Sequence, residues 1–219
     1  MKYLLSLLIL FMFSLPASAG QNTYKVLRVL DGDTVYIDFN NDGFIQKDER
    51  VRLNGIDTFE VKVSPRLEGQ MKAYGFNQNE ALTLAYLAKE FAKEKLLNKD
   101  VKAVYSAKTK RCSIGRHLMS LYYKDDNGIY KSFEEEILKS GLAVIYKYSN
   151  LANELNKFED LNKMREIAKT SNNYNLVILD TFNGEYYEPD CQYIQGHGST
   201  ELIDLKSGAY GYKRAKCPQ

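Results

Sequence analysis

Two short stretches of the chain concentrate groups that can do chemistry. The first is Asp31-Gly32-Asp33-Thr34; the second is Arg52 followed by Asp57-Thr58-Phe59-Glu60. Carboxylates gathered beside a strand end repel one another, so something positive must settle them, either a cation or an arginine. A donor set made of oxygen alone points to a hard cation, calcium or magnesium. Each stretch taken singly also fits a plain turn, since Asp-Gly is a common hairpin turn and Asp57-Thr58 suits a surface turn.

A third stretch, Asp38 to Glu49, fits the pattern of an EF-hand calcium loop throughout. Asp38, Asn40 and Asp42 supply the first oxygens, Gly43 permits the sharp turn, and Phe44 offers its carbonyl. Gln46 holds the position that often works through water, and Glu49 closes the loop as a two-oxygen ligand. The segment joins strands rather than two helices, so it predicts an EF-type loop without the full hand. Its role would be structural, clamping a hairpin whose far strand carries Arg52. The competing reading is a polar hairpin insertion rich in Asn and Asp.

These groups need a scaffold. Tyr24 to Leu30, Thr34 to Phe39 and Glu49 to Leu53 read as three strands in a meander, the last alternating Val51 and Leu53 with Arg50 and Arg52. A helix follows over Asn79 to Leu97, its apolar face at helical spacing and its start marked by an Asn77/Glu80 capping box. Val101 to Tyr105 and His117 to Tyr123 are further strands around a basic loop. Ser132 with Glu135 opens a short helix ending near Gly141. Leu142 to Tyr148 reads as extended, Leu151 to Lys169 as a third helix and Tyr174 to Phe182 as a strand. Five short strands with one helix between the third and fourth suit a small closed barrel. The fold class is thus mainly β with α: a barrel with packed helices and a small C-terminal appendage. The expected division is a leader at 1–19, a core domain at 20–150 and an appendage at 151–219.

The net charge of +2 is too small to announce a polyanion partner, so any basic site must be local. Lys2, the apolar run Leu4 to Phe13 and the small residues Ala17-Ser18-Ala19 form a signal peptide with a cleavage site. The run is short for a membrane span. The expectation is export to a periplasmic or extracellular space, with the mature chain starting at Gly20 and no stable membrane anchor. Of the three cysteines, Cys191 and Cys217 share the C-terminal segment and are the expected disulfide. Cys112 is then free, or replaces one of them. His197 with Cys191 and Cys217 is thin for a zinc site.

Read together, the stretches resemble the staphylococcal nuclease family. The matching residues are Val29-Leu30-Asp31-Gly32-Asp33-Thr34-Val35, Val51 through Glu60, Tyr74-Gly75 with Glu80 and Ala81, Gly115-Arg116, and Ser140-Gly141-Leu142-Ala143. The resemblance implies a five-stranded OB-fold barrel and a secreted, calcium-dependent, sugar-non-specific endonuclease acting on DNA and RNA. It implies that Asp33 and Asp57 bind a catalytic calcium through carboxylates and Thr58 through its carbonyl, with Asp31 as a supporting carboxylate. It assigns Glu60 to the attacking water, and Arg52 and Arg116 to the scissile phosphate. Three departures stand out. Phe59 replaces a usual proline, so the turn is either looser or packed by the ring. Ile114 replaces a usual tyrosine, and the loop Lys108 to Ser113 is longer than usual.

Lys108, Lys110, Arg111, Arg116 and His117, with Lys62, Arg66 and Lys72, would line a groove for a phosphate backbone. Nearby tyrosines, of which the chain has 17, would stack on exposed bases and favour single-stranded or fraying substrate. The chain is expected to act as a monomer. Two other classes compete: an exported, non-catalytic nucleic-acid-binding barrel with structural calcium, and a structural calcium-binding envelope protein. The first does not need Arg52, Glu60 and Arg116 together. The second leaves Asp33, Asp57 and Glu60 unexplained.

Overall fold

The computed structural model describes residues 23–106, 110–112, 114–171, 174–189, 191, 200–208 and 211–217. The expected leader, Lys108, Ser113 and His197 lie outside these residues.

Alternating apolar residues build the barrel. β1 (Thr23–Val29), β2 (Thr34–Asp38) and β3 (Arg50–Leu53) form the expected antiparallel meander. Val26, Val35, Ile37, Val51 and Leu53 point inward and are buried. β3 continues into a two-residue strand, β4 (Ile56–Asp57). Beyond the helices, β5 (Asp100–Tyr105) pairs with β1, and β6 (His117–Lys124) pairs with β5. A parallel pairing of β6 with β3 closes the ring, so that β1, β2, β3, β6 and β5 form a five-stranded barrel of OB type. β7 (Tyr130–Ser132) extends β6 outside the ring.

Two helices, not one, separate β4 from β5. α2 (Gln78–Leu96) is the expected helix, and Asn77 and Glu80 form its reciprocal cap. Its buried stripe of Ala81, Leu84, Ala85, Ala88 and Ala92 lets it press close on the barrel. A side chain at Gly32 would lie 2.7 Å from both the Ala88 Cβ and the Thr58 Cγ2. Gly32 is therefore set by close approach, not by turn conformation. The unexpected helix is α1 (Pro65–Tyr74), started by Ser64, whose hydroxyl accepts from the Leu67 N–H, and stopped by Gly75 at φ 75°.

α3 (Phe133–Lys139) begins at Ser132, whose hydroxyl accepts from the Glu135 N–H as the spacing implied. Leu142 to Tyr148 is extended only at β8 (Val144–Ile145), which pairs with β4; the chain then turns as Ser149 N–H bonds to the Tyr146 carbonyl. The helix expected over Leu151 to Lys169 is broken. α4 (Ala152–Leu155) runs into a 3-10 turn, and α5 (Leu161–Thr170) starts afresh under an Asp160 cap. The break releases Glu159, whose carboxylate accepts the Ile145 N–H at 2.7 Å and closes the open edge of β8.

The appendage is a second sheet. β9 (Leu176–Asp180) lies within the predicted strand and pairs with β10 (Glu185–Tyr187) and β11 (Thr200–Asp204). α6 (Leu205–Gly208) and β12 (Lys213–Arg214) follow, β12 pairing with β10. Cys191 and Cys217 are disulfide-bonded, and Cys112 is free. Leu176, Ile178, Tyr187 and Leu202 share the core of the barrel side. No helix among the described residues is long and apolar enough to cross a membrane.

Glu134 lies buried beneath β6. It accepts the Leu121 N–H at 3.0 Å and the Ser132 hydroxyl, and burial pushes its carboxyl up to about 8. An unfolded glutamate releases its proton near 4.5, so between those values the folded chain binds the extra proton and stability falls as pH rises. Glu134→Gln keeps an acceptor for Leu121 without the titration. Urea unfolding should show the variant losing less stability than the parent between about pH 5 and about pH 8, by more than ~1 kcal/mol. Parallel pH profiles would remove Glu134 as the cause.

Candidate active site

The barrel brings the two acidic stretches together at one end. Asp33 opens β2, Arg52 lies opposite Thr34 on β3, and Asp57 ends β4. Arg52, almost fully buried, spans the two carboxylates: its guanidinium lies 2.9 Å from the Asp33 Oδ1 and 2.7 Å from the Asp57 Oδ1. The remaining Asp33 oxygen accepts the Thr58 N–H at 2.8 Å and the Thr58 hydroxyl at 3.0 Å. Asp31 stands behind, accepting the Asp33 N–H at 3.0 Å. The Arg52 guanidinium thus offsets part of the carboxylate charge.

The negative charge is not fully balanced. Burial, then the Asp33 charge, push Asp31 up to about 8. Burial and Asp33 also raise Asp57, against the pull of Arg52 and Arg66. Burial raises Glu60, although Arg66 opposes it. Four carboxylates thus face the guanidinium groups of Arg52 and Arg66, and surplus negative charge is what a cation site needs. Among the described residues, no three His, Cys, Asp or Glu side chains converge as a metal-holding group. The donor chemistry still fits a hard cation: Asp33 and Asp57 offer carboxylate oxygens, and Thr58, next to Asp57 in sequence and bonded to Asp33, offers a carbonyl.

Two groups on α1 complete the arrangement, and neither was assigned there from sequence. Gln70 is buried and holds the whole acidic turn. Its amide N–H groups donate to the Asp57 Oδ2 at 3.0 Å and to the Thr58 carbonyl at 2.8 Å, and its Oε1 accepts the Glu60 N–H at 3.1 Å. Arg66, one helical turn earlier, pairs with Asp57 at 2.6 Å and with Glu60. Arg66 had been assigned only to a backbone groove. The signals were present: Ser64-Pro65 starts a helix, and Arg66 and Gln70 are four residues apart on one face. Phe59 is buried edge-on against Tyr74 and Phe76, so its ring packs the turn that a proline would stiffen.

A cavity of about 550 Å³ opens beside this cluster, lined by Arg52, Arg66 and Arg116 with Cys112, Tyr146 and Tyr148. Arg116 is half-buried at the end of a tight loop with Gly115 at φ 82°. Its Nε donates to the Cys112 sulfur at 3.4 Å and one terminal nitrogen to the Thr34 hydroxyl at 3.4 Å. These partners carry no full charge unless the thiol ionises, which leaves the Arg116 guanidinium available to an anion. Ile114 lines the same cavity and is exposed. Lys110, Arg111 and His117 gather on the adjoining loop, where the Arg111 side chain donates to the Gly115 carbonyl at 2.6 Å. Lys62 leaves the groove assigned to it and lies in the field of Asp180 and Lys89 on the appendage side.

The Asp38 to Glu49 loop is organised by its own amides. Asp38 accepts the N–H groups of Asp42 and Gly43, Asn40 accepts that of Asp42, and Asp42 accepts that of Phe44. Glu49 accepts the N–H groups of Phe39 and Gln46, tying the loop's ends together. Gly43 takes φ 76°, as the sharp turn requires. Phe44 and Ile45 are exposed, with no second hand to cover them.

With this geometry in place, comparison with known proteins is decisive at the level of family. The family model for staphylococcal nuclease homologues matches residues 50–173. The chain belongs to the staphylococcal nuclease family. The match begins at β3, directly after the Asp38 to Glu49 loop that separates the first hairpin from the rest. An uncharacterised protein of Methanocaldococcus jannaschii is 33% identical over 149 residues, covering 65% of this chain and 66% of that protein. The thermonuclease of Staphylococcus hyicus is 33% identical over 127 residues, 58% of this chain and 61% of that enzyme. The thermonuclease of Staphylococcus intermedius is 35% identical over 122 residues, 55% and 58% respectively. The chain thus spans less than two thirds of either staphylococcal enzyme. Family membership supports nuclease-type function and nucleic-acid binding in general.

If Gln70 holds the acidic turn, Gln70→Ala leaves the Thr58 carbonyl and the Glu60 N–H without partners. Stability should drop by about 1–3 kcal/mol. The Glu60 amide should also lose its protection against hydrogen exchange. An unchanged exchange rate there would show that the turn holds without Gln70.

Proposed function

We propose that the chain is an exported, calcium-dependent endonuclease that hydrolyses phosphodiester bonds in both DNA and RNA. One observation carries the reading: Arg52, Arg66 and Arg116 line one cavity, and two of them tie it to the acidic turn, Arg52 pairing with Asp33 and Asp57 and Arg66 with Asp57 and Glu60. A phosphodiester is anionic and resists attack by water, and guanidinium forks bind two of its oxygens at once. Arg116, which pairs with no carboxylate among the described residues, receives the phosphate first. Arg52 then turns an N–H edge from the aspartates to the same group as charge grows on it. An incoming phosphate also draws Arg66 away from Glu60, and the freed carboxylate, raised by burial, takes a proton from the attacking water. Calcium, held by Asp33, Asp57 and the Thr58 carbonyl with Asp31 behind them, would supply the positive charge that lets Arg52 leave the aspartates. Tyr146 and Tyr148, with rings 5.7 Å apart and largely exposed, offer faces to an unpaired base.

The leader-like residues 1–19 support export, and we assign 20–150 to the nuclease unit and 151–219 to an appendage. Calcium in the Asp38 to Glu49 loop would be structural, joining the ends of β2 and β3 that Glu49 already ties together.

The test is digestion of single-stranded DNA, duplex DNA and RNA by the chain from Gly20, with calcium, magnesium or chelator. Calcium-dependent cutting should fall by ~10²–10³-fold in Arg116→Ala, the scale of removing one transition-state donor. Glu60→Gln should fall comparably. Binding without cutting would make the chain a nucleic-acid-binding barrel instead. Calcium should also raise Tm, and Glu49→Gln, which keeps the Phe39 contact but loses the charge, should lose most of that rise while still cutting at saturating calcium. An undiminished rise would place structural calcium elsewhere.

A further inference from the structure

Residues of β1, β5, β6 and β7, with Phe39 after β2, line a second groove of about 570 Å³. It is lined by Tyr24, Phe39, Tyr105, Tyr122 and Tyr130, and no carboxylate is among its lining residues. Tyr105 is exposed and the other four rings are half-buried, so each leaves part of its surface open to the groove. Cations border them. The Lys102 ammonium sits 3.8 Å from the centre of the Tyr130 ring, Lys124 lies 5.4 Å from it, and Lys110 lies 5.9 Å from that of Tyr105.

The groove is not isolated. A third cavity, of about 480 Å³, shares Arg116 and Ile114 with the central one and reaches the aromatic groove through the contacts of His117. Lys47, Arg50 and Arg111 line it with Arg116, against a single carboxylate, Asp48. The Arg50 Nε is buried there without a hydrogen-bond partner. Arg111 reaches His117 at 3.0 Å, and His117 reaches the Tyr105 hydroxyl at 2.7 Å while packing on Phe39. Burial and the Arg111 charge hold His117 below its usual range, so it joins the two cavities as a neutral ring. The succession runs from guanidinium groups at the central cavity, through guanidinium groups at the middle one, to aromatic faces with ammonium groups at the outer one.

We propose that this succession is a binding track for a single-stranded nucleic acid, which leaves the central cavity over Arg116 and lays bases on the Tyr105–Tyr130 face. The choice of occupant rests on charge and shape. A flexible polyanion matches the cations along all three cavities, and unpaired bases match the flat aromatic faces between them. A duplex keeps its bases stacked inside and presents no face to Tyr130. This inference extends the nuclease reading given above, but its test does not depend on cutting.

Fluorescence anisotropy in chelator measures binding of labelled oligothymidylates of about four and about twenty nucleotides, lengths chosen to fall short of and to exceed a typical barrel site. The parent chain should bind the long strand ~10-fold or more tightly than the short one, and an equally long duplex should not gain that preference. Tyr130→Ala should abolish most of the gain, and Tyr130→Phe should restore it because the ring face remains. Lys102→Gln with Lys124→Gln, the first half-buried and the second exposed, should flatten the salt dependence by about 0.7 per lysine. Unchanged affinity for the long strand in Tyr130→Ala and in the lysine pair would overturn the proposal, as would no length dependence in the parent. Hydrolysis of a single-nucleoside nitrophenyl phosphodiester separates the two readings. That small substrate needs only the central cavity, so its cleavage should survive all of these substitutions, and a parent that fails to cleave it sinks the nuclease reading alone.

Discussion

The buried guanidinium of Arg52 between Asp33 and Asp57 is the constraint from which the rest of the site follows. Asp33 comes from the turn just before β2, the arginine from β3 and Asp57 from the end of β4. The antiparallel pairing of β2 with β3 sets Asp33 beside Arg52, and the short step from β3 to β4 brings Asp57 to the same guanidinium. A buried ion network of this kind is poor at adding net stability, because desolvation offsets most of the Coulomb attraction. Removing one member is nevertheless costly, because the others are left buried and unbalanced. Such a network is better understood as a held state than as glue. The same oxygens can be neutralised by an arginine or by a cation, and the arginine is free for an anionic substrate only in the second case.

That exchange works only if the acidic turn stays in place while its partners change. The turn has no proline; two other devices hold it. Phe59 is locked among Tyr74 and Phe76, and Gln70 ties Asp57, Thr58 and Glu60 to α1 through three hydrogen bonds. A backbone restraint within the turn is thus replaced by side-chain restraints from a helix next to it. The same helix brings Arg66 to Glu60, so the element that stiffens the site also holds its candidate base in check.

The sequence is most readable where local patterning and chemistry coincide. The meander with Val51 and Leu53 inside, the Asn77 and Glu80 cap and the Cys191–Cys217 bridge all follow from short-range rules. What escaped depends on tertiary partners. α1 has a weak apolar stripe, with only Leu67 and Gln70 buried, so its periodicity is faint although its caps are explicit. The helix expected over Leu151 to Lys169 keeps its apolar spacing across a break, because Glu159 is diverted to the Ile145 N–H and Asp160 caps a new start. Within the site, residue types identified which charges would meet, but not that Arg52 would lie between the aspartates or that Gln70 would hold their turn. Lys62 shows the converse: a basic residue beside the acidic turn in sequence is drawn toward Asp180 by an appendage that sequence left undefined.

The appendage is fastened to the barrel unit by charge as well as by apolar contact. Lys89 is almost wholly buried on α2 and reaches Glu201 of β11 at 2.8 Å, with Lys93 on the same carboxylate at 3.0 Å. Burial alone would raise Glu201, but the two ammonium groups outweigh it and hold the carboxyl at about 2. Burial lowers Lys89, and the Glu201 carboxylate opposes that lowering. α2 is also the helix whose Ala88 presses on Gly32, within the Asp31 to Asp33 turn. One rigid helix therefore carries the appendage on one side and braces the first acidic stretch on the other. Displacing the appendage would leave Lys89 uncompensated in an apolar setting, a cost borne by the helix that braces Asp33. The appendage is in this sense part of the scaffold that holds the carboxylates in register, although its nearest ion pair belongs to neither the arginines nor the acids of the site.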